Sequence, residues 1–180
     1  PYDPAEARRI LESKGKLGVT LTMAIPTDRW AKGRELGQAL AAQLEAAGFT
    51  TDAAYEEIGK WIIQHRAVVT DPAGAADLGM YGMSNELFDS DFSFAQSFGC
   101  GAPTSALCDK DIDAKAAAAR VIRDDAEREK AYQAIWAEMR DKNAAVPIFA
   151  LQQVHFVAPN VEWVPSPQIH MFVKDITLTN

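Results

Sequence analysis

Histidine and cysteine are scarce in this chain of 180 residues, with three and two copies. His65, His155 and His170 stand far apart, and none has a second histidine or a cysteine at metal-ligand spacing. No metal site and no cofactor is expected. The chain has no HExxH helix, no GxSxG elbow, no phosphate-binding P-loop and no GxGxxG turn, so the common zinc, acyl-transfer and nucleotide chemistries lack their recognisable elements. Long apolar runs are absent too; none approaches the ~20 residues that a membrane-spanning helix needs. Basic clusters are missing: 18 Lys and Arg stand against 25 Asp and Glu, for a net charge of −7. That balance makes nucleic acid and anionic lipid poor partners. The chain opens on Pro1-Tyr2-Asp3-Pro4 with no leader pattern, which reads as a fragment or a processed product.

What is present is a soluble-domain composition, 48% apolar and 24% charged. Asp3-Pro4-x-Glu6 is a helix start, with Asp3 as cap, Pro4 at the first position and Glu6 completing a capping box, and Gly15 is its stop. Val19, Leu21, Met23 and Ile25 alternate with smaller or polar residues and predict a strand. A helix from about Lys32 to Ala47 follows, with Leu36, Leu40 and Leu44 on one stripe and Gly48 as stop. A second strand over Phe49–Ala54 makes this a βαβ unit with parallel strands. Further helices are predicted over Glu56–Arg66, around Phe92, Phe94 and Phe98, and over Ile112–Arg123 and Ala126–Asn143. Asp71-Pro72-Ala73-Gly74 reads as loop, Leu78–Tyr81 as a short strand and Val146–Leu151 as a buried one. The tail from Val154 to Thr179 reads as short strands broken by Pro159, Pro165 and Pro167.

Candidate functional residues follow from position. In open α/β sheets, ligands bind beyond the carboxyl ends of the strands. The segment Met80, Tyr81, Gly82, Met83, Ser84, Asn85 and Glu86 lies at such an end and mixes apolar, aromatic and amide groups. His65, on the neighbouring helix, is a weaker candidate. Asp89 and Asp91 could be a carboxylate pair, but a helix cap before the aromatic helix explains them better. Glu56-Glu57 reads as first-turn helix carboxylates and Asp124-Asp125 as a helix start. No catalytic residue is assigned. Cys100 and Cys108 are not spaced as CxxC; the spacing leaves two free thiols and one local disulfide equally open.

The order of these features resembles the peptide/nickel-type (family 5) bacterial extracellular solute-binding proteins. Tyr2-Asp3-Pro4-Ala5-Glu6-Ala7 with Leu11 and Gly15 is similar to the family's Y-[ND]-P-E-x-A helix. Gln43-Leu44 and Gly48-Phe49 are similar to its Q-x-x-[LW]-x-x-[IA]-G-[IV] stretch. Gly79-Met80-Tyr81-Gly82 with Asp89-Ser90-Asp91 and Phe94 is similar to its G-W-x-x-D…D-P-[DT]-x-[FY] stretch. Tyr132–Trp136 followed by Ala145–Phe149 is similar to its Y-x-x-[AI]…A-P-x-[IV]-P-[LI] ending, and Asn160–Trp163 to its closing N-V-x-G-[FY].

The resemblance implies an α/β fold of the periplasmic-binding-protein kind: a three-layer lobe with a mixed sheet and flanking helices, and a C-terminal β tail. Residues 1–151 would be the second lobe of a two-lobed binder, and residues 152–180 would return to the first lobe. The implied role is capture of a small solute for the transmembrane permease subunits of an ABC importer. The implied location is periplasmic, or extracellular as a membrane-anchored lipoprotein. An oxidising compartment of that kind favours a Cys100–Cys108 disulfide. The tail strands, lacking their usual partner, are expected to fold back or to self-associate. Two departures bear on the solute. Peptide binders of the family place an amine-pairing Asp where this chain has Met83, and a stacking Trp where it has Met80. The alternatives are a ligand-sensing domain of the same fold without a permease, and a small hydrolase working through Asp89 and Asp91 or His65.

Overall fold

In the computed structural model, residues 2–65, 74–105, 107–166 and 170–179 are described, without the side chain of His65. Expectations placed on Arg66, Asp71, Pro72, Ala73, Pro167 and Ile169 lie outside the described residues. The rest forms two compact units. One comprises Pro1–Gly82 with Cys100–Cys108, and the other Met83–Gly99 with Asp109–Asn180.

The first unit is built on a parallel sheet. Helix α1 (Pro4–Ser13) starts where expected, with the Asp3 carboxylate accepting from the Glu6 amide at 2.9 Å. Glu6 does not complete the box; it pairs with Arg9, one turn on. Strand β1 (Thr20–Pro26) and strand β2 (Thr50–Glu56) run parallel in seven-residue register from Thr20 opposite Thr50 to Pro26 opposite Glu56. Helix α2 (Gly33–Ala47) joins them, and Gly48 ends it at φ 105, a left-handed conformation that a residue with a Cβ rarely adopts. Strand β3 (Leu78–Gly79) adds to the free side of β1, giving the order β2-β1-β3, all parallel.

The core lies between β1 and α2. Met23, Ala24 and Ile25 are buried. The leucine stripe of α2 is only half-buried, because the helix makes its closest approach through small residues. A Cβ on Gly37 would come within 2.6 Å of Ile25 Cγ2, so glycine here sets the helix-to-sheet distance. Helix α3 (Ile58–His65) sends Trp61 into the same unit, where its Nε1 donates to the Ala24 carbonyl at 3.2 Å. The disulfide Cys100–Cys108, with Cα atoms 4.3 Å apart, closes its loop within this unit.

The second unit is helical with an extended tail. Helix α4 (Ser90–Ser97), helix α5 (Lys110–Arg120) and helix α6 (Asp125–Asp141) are each capped by an aspartate, namely Asp89, Asp109 and Asp124. Ile112, Ala116 and Ala119 of α5 and Tyr132, Ile135 and Met139 of α6 are buried. Trp136 meets Phe94 and Phe98 edge-on, with ring centroids 6.4 and 5.3 Å apart.

One expectation fails outright. Val146–Leu151 is not a buried strand: no strand is found there, and Val146, Ile148, Phe149 and Leu151 are exposed. An apolar run becomes a buried strand only beside a neighbour that supplies ladder hydrogen bonds and a covering layer. Among the described residues none stands beside it. Further on, strand β4 (Val161–Trp163) and strand β5 (Ile176–Leu178) pair antiparallel with each other, Val161 opposite Leu178, so the tail folds back on itself.

Candidate functional site

Parallel pairing puts the carboxyl ends of β1, β2 and β3 at one edge of the sheet, and the loops leaving that edge are fixed in place. After β1, Thr27 donates its amide and its Oγ1 to the Glu56 carbonyl, at 2.8 and 3.1 Å. The Asp28 carboxylate accepts from the Ile58 amide at 2.7 Å and so caps α3. After β3, the Met80 amide donates to the Ala24 carbonyl at 3.0 Å. Tyr81 lies parallel to the buried Trp61 ring, centroids 5.9 Å apart with 13° between planes, and is 48% exposed. The Trp30 ring covers Gly82 so closely that a Cβ there would sit 2.7 Å from its Cζ2.

These contacts collect Trp30, Tyr81 and Gly82 at the strand ends of the first unit. Trp30 was not among the residues singled out from sequence. The available signal was the strand-end rule applied to β1 as well as to β3; periodicity says nothing about a loop residue. Met80 is buried in the core with Met23, Ile25 and Ala41.

Met83, Ser84, Asn85 and Glu86 fall in the second unit. Met83 is 50% exposed. The Ser84 hydroxyl donates to Glu86 Oε1 at 3.2 Å, and Asn85 Oδ1 accepts from the Asp89 amide at 2.9 Å, which holds the approach to α4. Glu86 Oε2 lies 3.6 Å from His170 Nε2. His65 ends α3, and its side chain lies outside the described residues.

Asp89 and Asp91 are structural. Asp89 caps α4 and accepts from Arg128 Nη2 at 2.9 Å. Asp91 accepts from Arg120 Nε at 2.9 and 3.0 Å and from Tyr132 Oη at 2.7 Å. The Arg128 hydrogen bond lowers the Asp89 pKa, working against partial burial. Burial alone would raise that of Asp91, but the Arg120 and Tyr132 hydrogen bonds together outweigh it and the net shift is downward. Burial, with Asp91 as acceptor, pushes the Tyr132 hydroxyl well above its usual range. Two carboxylates both held ionised by arginines lack the split pKa values that acid–base catalysis needs. They clamp α4 to α5 and α6. An open depression of about 360 Å³ beside this clamp is lined by Phe88, Asp89, Arg128, Tyr132 and Trp136. No group of three His, Cys, Asp or Glu that could hold a metal occurs among the described residues, and no described helix is long and apolar enough to cross a membrane.

No family model matches the chain. Di/tripeptide-binding protein 4 of Pseudomonas aeruginosa (strain UCBPP-PA14) is 28% identical over 156 residues, 82% of this chain and 28% of that protein. The chain therefore spans little more than a quarter of this curated relative. Among solved structures, Haemophilus influenzae OppA in complex with the peptide RPPGFSPFR matches 98% of this chain and 35% of its own, with a TM-score of 0.74 and 18% identity. The ABC transporter-associated periplasmic binding protein DppA of Helicobacter pylori, in complex with the peptide STSA, matches 77% of this chain and 27% of its own, with a TM-score of 0.60 and 18% identity. By sequence and by fold, the chain is similar over most of its length to extracellular solute-binding proteins of the peptide/nickel type.

Proposed function

We propose that this chain is the second, solute-facing lobe of the binding component of an ABC importer. Residues 1–151 form that lobe and residues 152–180 return to the first. The component works outside the cytoplasmic membrane, periplasmic or lipid-anchored, holds a small solute between its lobes and presents it to the permease. It needs no cofactor and no covalent step. A Cys100–Cys108 disulfide suits that compartment. The observation that carries the reading is the aromatic surface of Trp30, Tyr81 and Gly82 at the carboxyl ends of β1 and β3, where open α/β sheets hold their ligands. The names of the relatives support it: one binds di- and tripeptides, and one is associated with an ABC transporter.

Met83 stands where peptide binders of the resembling family carry an aspartate. A thioether cannot pair with a peptide's ammonium group, so Met83 itself supplies no partner for a free amino terminus. Calorimetric titration of the full-length protein with its co-purified solute tests the site. Tyr81→Ala should weaken binding roughly tenfold, about 1.4 kcal/mol, with the melting temperature nearly unchanged. Unaltered affinity in both the Trp30→Ala and the Tyr81→Ala variants would remove this site from consideration.

A further inference from the structure

The open depression of about 360 Å³ beside the Asp89–Arg128 clamp is built wholly from the second unit and shares no residue with the strand-end surface. Its volume suits a small organic molecule. Two kinds of group line it. Phe88, Tyr132 and Trp136 supply rings, while Asp89, Asp125 and Glu129 supply carboxylates against one cation, Arg128. Arg128 is already committed: its Nη2 donates to Asp89 at 2.9 Å, and its guanidinium lies over the Tyr132 ring, 5.2 Å from the centroid. Among the described residues Asp125 has no partner, and Glu129 has one, the uncharged Gln133 amide, which donates at 2.9 Å.

Neighbouring charges do not cancel this excess. In sequence Arg123 and Lys130 are matched by Asp124 and Glu127, and Asp91 and Arg120 pair with each other. The amino end of α6 offsets about half a charge, which leaves the depression negative. Phe88 adds a second observation. Its backbone is left-handed, at φ 53, where glycine or asparagine sits at lower cost, and its side chain is 62% exposed. A ring carried on a strained backbone without burial adds little to stability, and it is accounted for as one wall of a binding surface.

We propose that this depression binds a compact organic cation with an aromatic or apolar body, of the arylalkylammonium kind. The body packs against Phe88 and Trp136, and the ammonium group is held by Asp125 and Glu129. Arg128 already shows the arrangement inside the chain, a cation resting on a ring beside a carboxylate. A neutral ring would gain the apolar contact alone, and an arylcarboxylate would meet repulsion from two unpaired carboxylates. The proposal does not depend on the strand-end surface being a solute site.

Benzylammonium, benzyl alcohol and phenylacetate share a ring and differ in charge. Each is titrated into the 180-residue chain at micromolar concentration, with binding read by saturation-transfer NMR and stability by thermal melting. Benzylammonium should bind roughly fivefold tighter than the alcohol, and phenylacetate more weakly than both. The preference should fade as salt rises. Joint Asp125→Asn and Glu129→Gln substitution should abolish it. Phe88→Gly should weaken benzylammonium and the alcohol alike with the melting temperature nearly unchanged, since glycine adopts φ 53 without strain. Tyr81→Ala should leave all three probes unaffected. Equal binding of the ammonium and the alcohol, or a preference that survives the double substitution, would overturn the cationic claim. Undiminished binding in Phe88→Gly, or a loss in Tyr81→Ala, would put the probe elsewhere and overturn the site. No detectable binding of benzylammonium would overturn both.

Discussion

Strand β1 and the segment Val146–Leu151 are both short apolar runs bounded by turn-forming residues, and they end in opposite environments. Ile25 of β1 is 1% exposed, whereas Val146 is 82% exposed. Strand β1 has β2 on one side, β3 on the other and α2 across its face. Val146–Leu151 has none of these among the described residues. An apolar pattern states that a segment is able to be buried; a neighbour in the same chain decides whether it is.

The largest expected effect tests that contrast directly. Ile25→Ala should cost roughly 2–5 kcal/mol, since it opens a cavity between β1 and α2 where Gly37 has already brought the backbone close. Ile148→Ala, with its side chain already half exposed, should cost under about 0.5 kcal/mol in this chain. Denaturant melts of the two variants check the pair. A loss at Ile148 as large as that at Ile25 would mean that the segment is packed after all.

A smaller effect sets apolar burial against charge. Strand β1 bears no ionisable side chain, while α4, α5 and α6 are held by Asp89–Arg128 and Asp91–Arg120. Both aspartates have folded-state pKa values below the usual carboxylate value. Their contribution is complete above the unfolded-state pKa of about 3.9 and is lost as pH falls through the lower folded values. The helices of the second unit should therefore loosen below about pH 4, before the β1–β2 pairing does. Asp77, which accepts from the Thr22 amide at 2.8 Å, is the acid-sensitive contact of the sheet itself and lies exposed at its edge. Asp91→Asn should flatten the acid limb of the helical signal. An unchanged acid limb in that variant would assign the transition to other groups.

The sheet was legible because its signals are local: alternation in β1, a helical stripe in α2, glycines beyond both α1 and α2. The starts of α1, α4 and α6 were legible for the same reason, each with an aspartate at its cap, whereas α2 starts after Lys32 with no side-chain cap. The site was half legible. The loop after β3 follows from the strand-end rule, but Trp30 is placed by a contact with Gly82 some fifty residues away. Arg120 and Tyr132, which give Asp91 its role, lie 29 and 41 residues from it and could not be paired to it by spacing. The burial of Met80 was not legible, because a residue just past a strand can turn inward or outward and only packing decides.

The smallest effect concerns the tail. Strands β4 and β5 have three residues each, and a two-stranded hairpin of that size is marginal in water. Little apolar surface is covered around it, with Phe156 94% exposed and Val164, Val173 and Leu178 also exposed. Amides of Val161, Trp163, Ile176 and Leu178 should exchange quickly, and those of Met23 to Ile25 slowly. Removing residues 152–180 should then change the stability of the β1–β2 sheet by less than about 0.5 kcal/mol. Solution behaviour should change more than stability does. Unpaired strand edges beside exposed apolar side chains favour pairing with a second copy. Light scattering should therefore show the 180-residue chain associating with concentration and the version ending at Leu151 staying monomeric. A monomeric full chain whose tail amides exchange at the open-chain rate would mean that the tail pairs with nothing. Slow exchange in a monomer would mean instead that the β4–β5 pairing suffices by itself, and the contrast with Val146–Leu151 would then narrow to one requirement, that of a partner within reach along the same chain.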